Sequence, residues 1–263
     1  MLSLPYHRLV NELTSNGLDI NGRSTTFGAQ LRFDLKSGYI PLVTGDADEW
    51  KHIVVELLWM LSGYTDATCL TEHGIHSLAK YASREYLDQH GLSYLPDGDL
   101  GPVDGFQLRH FGAYYTNCHA DYYSQGVDQI KHLIDALQQR EHSDMIICTW
   151  NPADLPHMAR KPRTILAQFF ERDGVVSCQV YQSSIDVHNI PHVVASYSLL
   201  LYMVCQVCNL SPGTFIYTIG EVYTTPGQSH TNSVFCETAT LKFGRQVGSI
   251  DDFEIDDIMI QRS

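Results

Sequence analysis

Apolar side chains recur along this chain with two spacings, and each spacing predicts its own kind of element. In residues 26–33 every second residue is apolar, which is typical of a strand with one buried face. Helical spacing recurs in residues 48–61, 127–137 and 194–210, and the last segment is apolar on nearly all sides. Further apolar runs predict strands at 145–150, 165–170, 175–182, 214–222 and 234–242. The pattern predicts an α+β fold with a large mixed sheet packed against a few long helices.

The sequence shows no sign of a division into several domains. No internal repeat, low-complexity tract or Pro/Ser-rich linker divides the sequence, so one domain over residues 1–263 is expected. Residues 88–104 and 110–123 show neither spacing, and these segments are expected to be irregular surface excursions.

Charge and cysteine content narrow the class of partner. The 263 residues carry 30 acidic and 17 basic side chains, a net charge of −13, which disfavours binding to nucleic acid or to anionic membranes. No leader-like N-terminal pattern and no long uninterrupted apolar run is seen. The seven cysteines, an odd number without paired CxxC motifs, suggest free thiols. The expected partner is a small molecule, and the expected location is the cytoplasm.

A set of short motifs in a fixed order adds a family resemblance. Alone, each motif is weak, but together they extend from about residue 6 to 256. They are Phe27-Gly28-Ala29-Gln30-Leu31-Arg32-Phe33, Glu56-Leu57-Leu58-Trp59, Gly101-Pro102-Val103, Trp150-Asn151-Pro152, Ser177-Cys178-Gln179-Val180-Tyr181-Gln182, Ala195-Ser196-Tyr197 and Asp252-Phe253. This order resembles that of thymidylate synthases and the related pyrimidine hydroxymethylases. The resemblance implies the thymidylate synthase fold and a homodimer in which the large sheets pack face to face.

The catalytic motif departs from that family. Its nucleophilic cysteine attacks the pyrimidine ring, and the matching block here reads Met158-Ala159-Arg160-Lys161-Pro162-Arg163-Thr164. Arg163 occupies the position of the cysteine, and a guanidinium stays protonated at neutral pH and is no nucleophile. The expectation from this position is that cysteine-type activation of a pyrimidine is excluded.

The nucleotide-binding positions also differ from the family. Arginines that the family uses for the 5′-phosphate are replaced by Ser183 and, on the partner-facing side, by Ser143 and Asp144. An acidic group in place of a cation reverses the local field. Val193 replaces the base-reading asparagine. A nucleoside monophosphate is therefore not expected as the ligand.

The candidate site residues combine the resemblance with the new side chains. The resemblance implies that Glu56 orders water and relays protons, and that Asp186 binds the pterin ring of methylenetetrahydrofolate. Glu56, Asp104 and Tyr223 are predicted as catalytic residues, although Glu56 could serve only an internal pair and Asp104 only a loop cap. The predicted substrate-binding residues are Asn151, Arg163, Ser183 and His192. Asp186, His188 and His192 have a spacing compatible with a metal, but local hydrogen bonds explain them better and no metal is expected.

Three functions are compatible with these departures. The first is a folate-dependent one-carbon transferase, repurposed from the family, that acts on a non-nucleotide small molecule, for example in specialised metabolism. The second is a non-catalytic dimeric scaffold or ligand sensor. The third is a folate-independent isomerase, cyclase or hydrolase that uses the cavity carboxylates. The departures predict that the chain lacks thymidylate synthase activity itself, and whether the chain is an enzyme stays open.

Overall fold

The structure is a computed structural model and describes residues 3–43, 47–140, 145–224, 235–236 and 239–262. Its helices are α1 (Ser3–Asn16), α2 (Ala47–Leu61), α3 (Thr68–Thr71), α4 (Arg84–Gln89), α5 (Asp104–His110), α6 (Gln129–Gln139) and α7 (Ile190–Cys208). Its strands are β1 (Leu18–Ile20), β2 (Arg23–Asp34), β3 (Leu42–Val43), β4 (Ile146–Cys148), β5 (Thr164–Arg172), β6 (Val175–Asp186), β7 (Ser211–Thr224), β8 (Phe235–Cys236), β9 (Ala239–Phe243) and β10 (Ile258–Arg262).

A six-stranded mixed sheet organises the described residues, in the order β1-β2-β7-β6-β5-β4. Its pairs are antiparallel except β6 with β7, where α7 makes the crossover that parallel neighbours require. Residues on one face of the sheet are fully buried, among them Phe33, Phe169, Val180 and Tyr217. The opposite face leaves Ile146, Phe170 and Tyr181 exposed. The predicted α+β class is confirmed.

Helix α7 covers the buried face of the sheet. A 22-residue span that contains it, Val187–Cys208, is long and apolar enough to cross a membrane, but 72% of its most apolar window is buried within the fold. Such burial is typical of a central core helix, as the all-round apolar pattern predicts. The helix also explains the CxxC motif, because Cys205 is buried in the core and Cys208 packs against it, both as free thiols.

Two helices begin at residues other than those predicted. Helix α6 begins after Asp128, whose side chain accepts the backbone N–H of Lys131, rather than at Val127. Val127 instead pairs with Phe111 in an isolated bridge. Helix α7 begins at Ile190, with Pro191 in its first turn, and is therefore longer at its start than the apolar run indicates.

Two strand predictions also need correction. Phe27 is 84% exposed although alternation places it with Leu31 on the buried face. The adjacent Gly28 has a φ of +87°, which departs from extended backbone and breaks the alternation at this point. The predicted strand 234–242 is not one strand of the large sheet: β8 pairs with β3, and β9 pairs with β10.

Gly101 holds the loop that precedes α5 close to a second loop. Its φ is +76°, and a Cβ atom there would lie 2.1 Å from the carbonyl oxygen of His157. A backbone hydrogen bond also joins the two loops: the Ala159 N–H donates to the Leu100 carbonyl at 2.9 Å. Only glycine allows this close approach. It brings the start of α5, at Asp104, beside the loop that carries Arg160.

Candidate active site

A cavity of about 390 Å³ opens between α2, α7, the start of β5 and the segment that follows α3. Its walls combine apolar and charged side chains. They are Glu56, Leu57, Trp59, Met60, Leu70, Ser77, Leu78, Lys80, Tyr81, Asp104, Arg160, Arg163, Thr164, Gln182, Ile185, Asn189, His192, Val193, Ser196 and Tyr197. A concave pocket that combines apolar surface with a few converging polar and charged groups is the usual form of a small-molecule site.

Glu56 is the best-connected acid in this cavity. It projects from α2, and its two oxygens bind different partners: Oε2 lies 2.8 Å from His192 Nε2, and Oε1 accepts the Ser77 hydroxyl at 3.0 Å. Burial alone would raise the pKa of Glu56, but the hydrogen bonds of His192 and Ser77 and the positive charge of Arg160 outweigh it and lower the pKa. Glu56 is therefore an ionised carboxylate at neutral pH.

Asp104 is the second cavity acid and has the opposite environment. It is the first residue of α5 and lines the same cavity. Burial raises the pKa of Asp104, and the charge of Arg160 offsets only part of that effect. Two carboxyl groups in one cavity thus have pKa values shifted in opposite directions, an arrangement that separates acid and base roles.

Arg163 faces the cavity and does not turn out to solvent. The loop before β5 holds it there, because its carbonyl oxygen accepts the Ser183 N–H at 2.9 Å and the Ser183 hydroxyl at 3.2 Å. Its side chain is partly buried and lines the cavity with Thr164. The neighbouring Lys161 is exposed and does not line the cavity.

Further cations surround the cavity mouth. The Lys80 ammonium lies 4.8 Å from the centre of the Tyr81 ring, and the Arg160 guanidinium lies 5.9 Å from the same centre. With Arg163 they place three basic side chains around one pocket in a protein of net charge −13. A local field of this sign favours an anionic ligand.

The structure brings together four of the eight predicted site residues. Glu56, Asp104, Arg163 and His192 line one cavity. Asn151, Ser183, Asp186 and Tyr223 are not among the cavity-lining residues. Their roles as ligands or catalysts stay predictions, while Ser143 and Asp144 lie outside the described residues.

The four residues outside the cavity wall have contacts of other kinds. Asn151 donates to the Asp154 carboxylate at 2.8 Å, and Ser183 holds the Arg163 loop as described. Asp186 accepts the backbone N–H of His188 at 3.0 Å. The Arg23 guanidinium lies 4.9 Å from the centre of the Tyr223 ring.

Lys80 and Tyr81 are site residues that the sequence analysis missed. They lie in a short 3₁₀ turn, Ala79–Ala82, within a segment without helical or strand spacing. No local signal marks them, because their position at the cavity depends on the packing of this segment against α2. Arg160 lies in the same short basic segment as Lys161 and Arg163. The spacing of these residues in the sequence does not predict that Arg160 lies close to Asp104.

Comparison with known proteins decides the family. The sequence model of the thymidylate synthase family matches residues 4–262. The thymidylate synthase of human herpesvirus 8 type P is 41% identical over 98% of this chain and 80% of that protein, and that of Herpesvirus ateles is 42% identical over 91% and 85%. The chain belongs to the thymidylate synthase family.

Plant members of the family are also similar. The bifunctional dihydrofolate reductase-thymidylate synthase of Zea mays is 46% identical over 83% of this chain and 43% of that protein. The chain thus spans about half the length of the plant relatives it matches. The resemblance to the thymidylate synthase family and the fold that it implies are confirmed.

The family comparison overturns the functional predictions. A repurposed transferase for a non-nucleotide molecule, a scaffold or sensor, and a folate-independent enzyme were all predicted on the ground that thymidylate synthase activity is excluded. Relatives named thymidylate synthase, 41–42% identical over nearly the whole chain, contradict that exclusion. The prediction against a nucleotide ligand rested on a few substituted positions, such as Ser183 and Val193. The cavity still gathers cations from Lys80, Arg160 and Arg163, so the electrostatic argument against a phosphate fails.

Proposed function

We propose that this chain has the thymidylate synthase function for which its relatives are named. The observation that carries the proposal is the similarity to single-function viral thymidylate synthases over 91–98% of the chain. The proposed substrate is deoxyuridine monophosphate, and the proposed one-carbon donor is methylenetetrahydrofolate. The cavity around Glu56, Asp104 and Arg163 is the proposed site.

The charges of the cavity support an anionic nucleotide. Three basic side chains, those of Lys80, Arg160 and Arg163, line it. An arginine can bind two phosphate oxygens at once, with short charge-assisted hydrogen bonds. Arg163 is the best placed of the three, because Ser183 fixes its backbone.

The remaining walls suit a flat heteroaromatic ligand such as a reduced folate. Trp59 and Tyr81 provide aromatic surface, and Leu57, Leu78 and Ile185 provide apolar surface. In the family the folate supplies the one-carbon unit. Asp186, which the resemblance assigns to the pterin ring, is buried and does not line this cavity. We therefore assign the proposed folate contacts to the aromatic and apolar wall.

The proposed reaction requires a group other than cysteine to activate the pyrimidine ring. No cysteine lines the cavity within the part of the chain that the structure describes. Arg163 stays cationic and is no nucleophile. Of the hydroxyls in the wall, burial raises the pKa of Tyr197, which makes its phenolate inaccessible at neutral pH. The other hydroxyl-bearing residues of the wall are Ser77, Tyr81, Thr164 and Ser196. Product formation, rather than binding, must therefore be the decisive measurement.

The proposal is tested by incubating the purified chain with deoxyuridine monophosphate and methylenetetrahydrofolate. Thymidine monophosphate and dihydrofolate are expected in equal amounts, measured by chromatography and by the absorbance of dihydrofolate. A reaction without methylenetetrahydrofolate is the control. Bound nucleotide without any thymidine monophosphate, at saturating concentrations of both ligands, would show that the catalytic proposal is wrong.

We further propose that the chain forms the homodimer that the family resemblance implies. The support is the exposed sheet face, where Ile146 is 46% and Phe170 is 57% exposed. These side chains share one face of the sheet with polar residues such as Gln168 and Gln179, and a partner sheet that packs on this face would bury them. Light scattering is expected to give twice the chain mass of 29.7 kDa, and Phe170→Asp to give the monomer. Tyr123→Asp, at a residue that is 84% exposed outside the sheet, should leave the dimer intact. A wild-type monomer at micromolar concentration would contradict the proposal.

A further inference from the structure

Asp66, Cys118 and His119 form a cluster outside the active-site cavity. One potential ligand atom from each residue lies within 4.8 Å of those of the other two. None of the three lines the cavity. Asp66 precedes α3, whereas Cys118 and His119 lie in the irregular segment between Phe111 and Val127. We propose that this cluster is a binding site for a zinc ion that joins the two segments.

The spacing of the two strongest ligands fits zinc. Cys118 Sγ lies 3.7 Å from His119 Nε2. Zinc binds thiolate sulfur at about 2.3 Å and imidazole nitrogen at about 2.0 Å in tetrahedral geometry, which puts the two ligand atoms about 3.6 Å apart. The observed separation of these two ligand atoms is therefore compatible with one shared ion.

Asp66 is held in place by its own neighbours. Its Oδ1 accepts the Thr68 N–H at 2.8 Å and the Thr68 hydroxyl at 2.7 Å. These bonds fix the orientation of the carboxylate and leave its second oxygen to serve as a ligand. Outer hydrogen bonds of this kind orient metal ligands and strengthen their binding.

A buried carboxylate connects the two ligand-bearing segments. Asp99 is fully buried, forms an isolated bridge with Asp66, and accepts the Cys118 N–H at 2.9 Å. It also accepts the Tyr115 hydroxyl at 2.6 Å. Asp99 therefore fixes Cys118 relative to Asp66 without itself being a ligand, and the site is largely preorganised.

The Tyr122 hydroxyl stabilises the loop from within. It accepts the N–H groups of Thr116 and Asn117 at 2.8 and 3.0 Å and donates to the Asn117 carbonyl. The Asn117 side chain in turn accepts the His119 N–H at 2.9 Å. The backbone beside both loop ligands is thus defined by hydrogen bonds.

The chemistry of the ligands selects the ion. Thiolate and imidazole favour zinc over magnesium or calcium, which prefer oxygen ligands. One carboxylate, one thiolate and one imidazole leave a fourth tetrahedral position for water. Asp186, His188 and His192, whose spacing in the sequence is compatible with a metal, do not form such a group of ligand atoms among the described residues.

Cobalt provides a spectroscopic test, because it substitutes for zinc and absorbs visible light. Titration of the chelator-treated full chain with Co²⁺ is expected to give tetrahedral bands and a thiolate-to-cobalt charge-transfer band, and excess Zn²⁺ should remove both. Zn²⁺ alone should raise the thermal midpoint in a concentration-dependent way. Cys118→Ser is expected to abolish the charge-transfer band. It should also weaken metal binding by more than the roughly 10- to 100-fold that follows the loss of a residue hydrogen-bonded to a ligand.

Two variants keep the test specific. Cys69→Ser removes a thiol close to Asp66 but outside the cluster, and it should leave the cobalt spectrum unchanged. His119→Gln changes an exposed side chain, so folding is not at risk, and it should weaken zinc binding at least about tenfold. The proposal is overturned if wild-type protein gives no charge-transfer band, if Cys69→Ser removes it, or if His119→Gln binds zinc as tightly as wild type.

Discussion

Replacing Arg163 with alanine is expected to weaken the binding of deoxyuridine monophosphate by about 10- to 150-fold. A hydrogen bond to a charged group contributes about 1.5–3 kcal/mol, and each 1.4 kcal/mol corresponds to a factor of ten in the dissociation constant. Arg163 faces the cavity from a loop whose position depends on main-chain contacts with Ser183. The substitution removes the guanidinium without removing those main-chain contacts.

Lys161 provides the matched control. It carries the same charge two residues earlier in the same loop, but it is exposed and does not line the cavity. Calorimetric titration of Lys161→Ala with the same nucleotide should give a dissociation constant within about twofold of wild type, because exposed charges contribute little. If both variants lose the same affinity, the effect of Arg163 is only that of net charge. If Arg163→Ala binds as wild type does, the arginine does not contact the phosphate.

The long elements of this fold could be predicted because their side chains repeat. Strand β2 and helix α2 lie where the two spacings place them, since burial on one face imposes the period, and α7 contains most of its predicted segment. The exceptions arise from local backbone geometry, which the spacing of apolar residues does not predict. Gly28 exposes Phe27, and the Asp128 cap moves the start of α6.

Residues of the site could be predicted only where they lie in or beside a motif of the family. Glu56, Asp104, Arg163 and His192 do so, and all four line the cavity. Lys80 came from an irregular segment, and its place at the cavity arises from tertiary packing alone.

The functional prediction failed for a different physical reason. It treated the loss of single cations, such as that at Ser183, as the loss of the ligand they bind. A pocket potential is a sum over all nearby charges, so cations from other segments can restore it. Arg160 and Arg163 supply such charges from one loop, and Lys80 from another segment. The sign of the cavity field could therefore be judged only after the chain was folded.

Glu56→Gln is expected to reduce the proposed rate of thymidine monophosphate formation by about 10²- to 10⁴-fold, the usual contribution of a positioned acid or base. Glutamine has nearly the same shape and can still accept the Ser77 hydroxyl, but it carries no charge for His192 and cannot take up a proton. Nucleotide affinity should change little, because the carboxylate does not neutralise a phosphate. Glu49→Gln is the control: it lies two turns earlier on α2, does not line the cavity, and should retain the wild-type rate.

The pH dependence of stability gives an independent check on Glu56. Because the pKa of this carboxyl is lowered in the folded protein from its ordinary value of 4.5, the ionised form stabilises the fold above that value. The contribution is lost as the pH falls through the lowered pKa. Urea unfolding should therefore show the largest difference between wild type and Glu56→Gln at neutral pH, and that difference should shrink below pH 4.5. If wild type and Glu56→Gln differ in stability by the same amount at neutral pH and below pH 4.5, charge does not mediate the contact with His192. A reduced rate in Glu56→Gln would then reflect altered packing rather than a lost proton carrier.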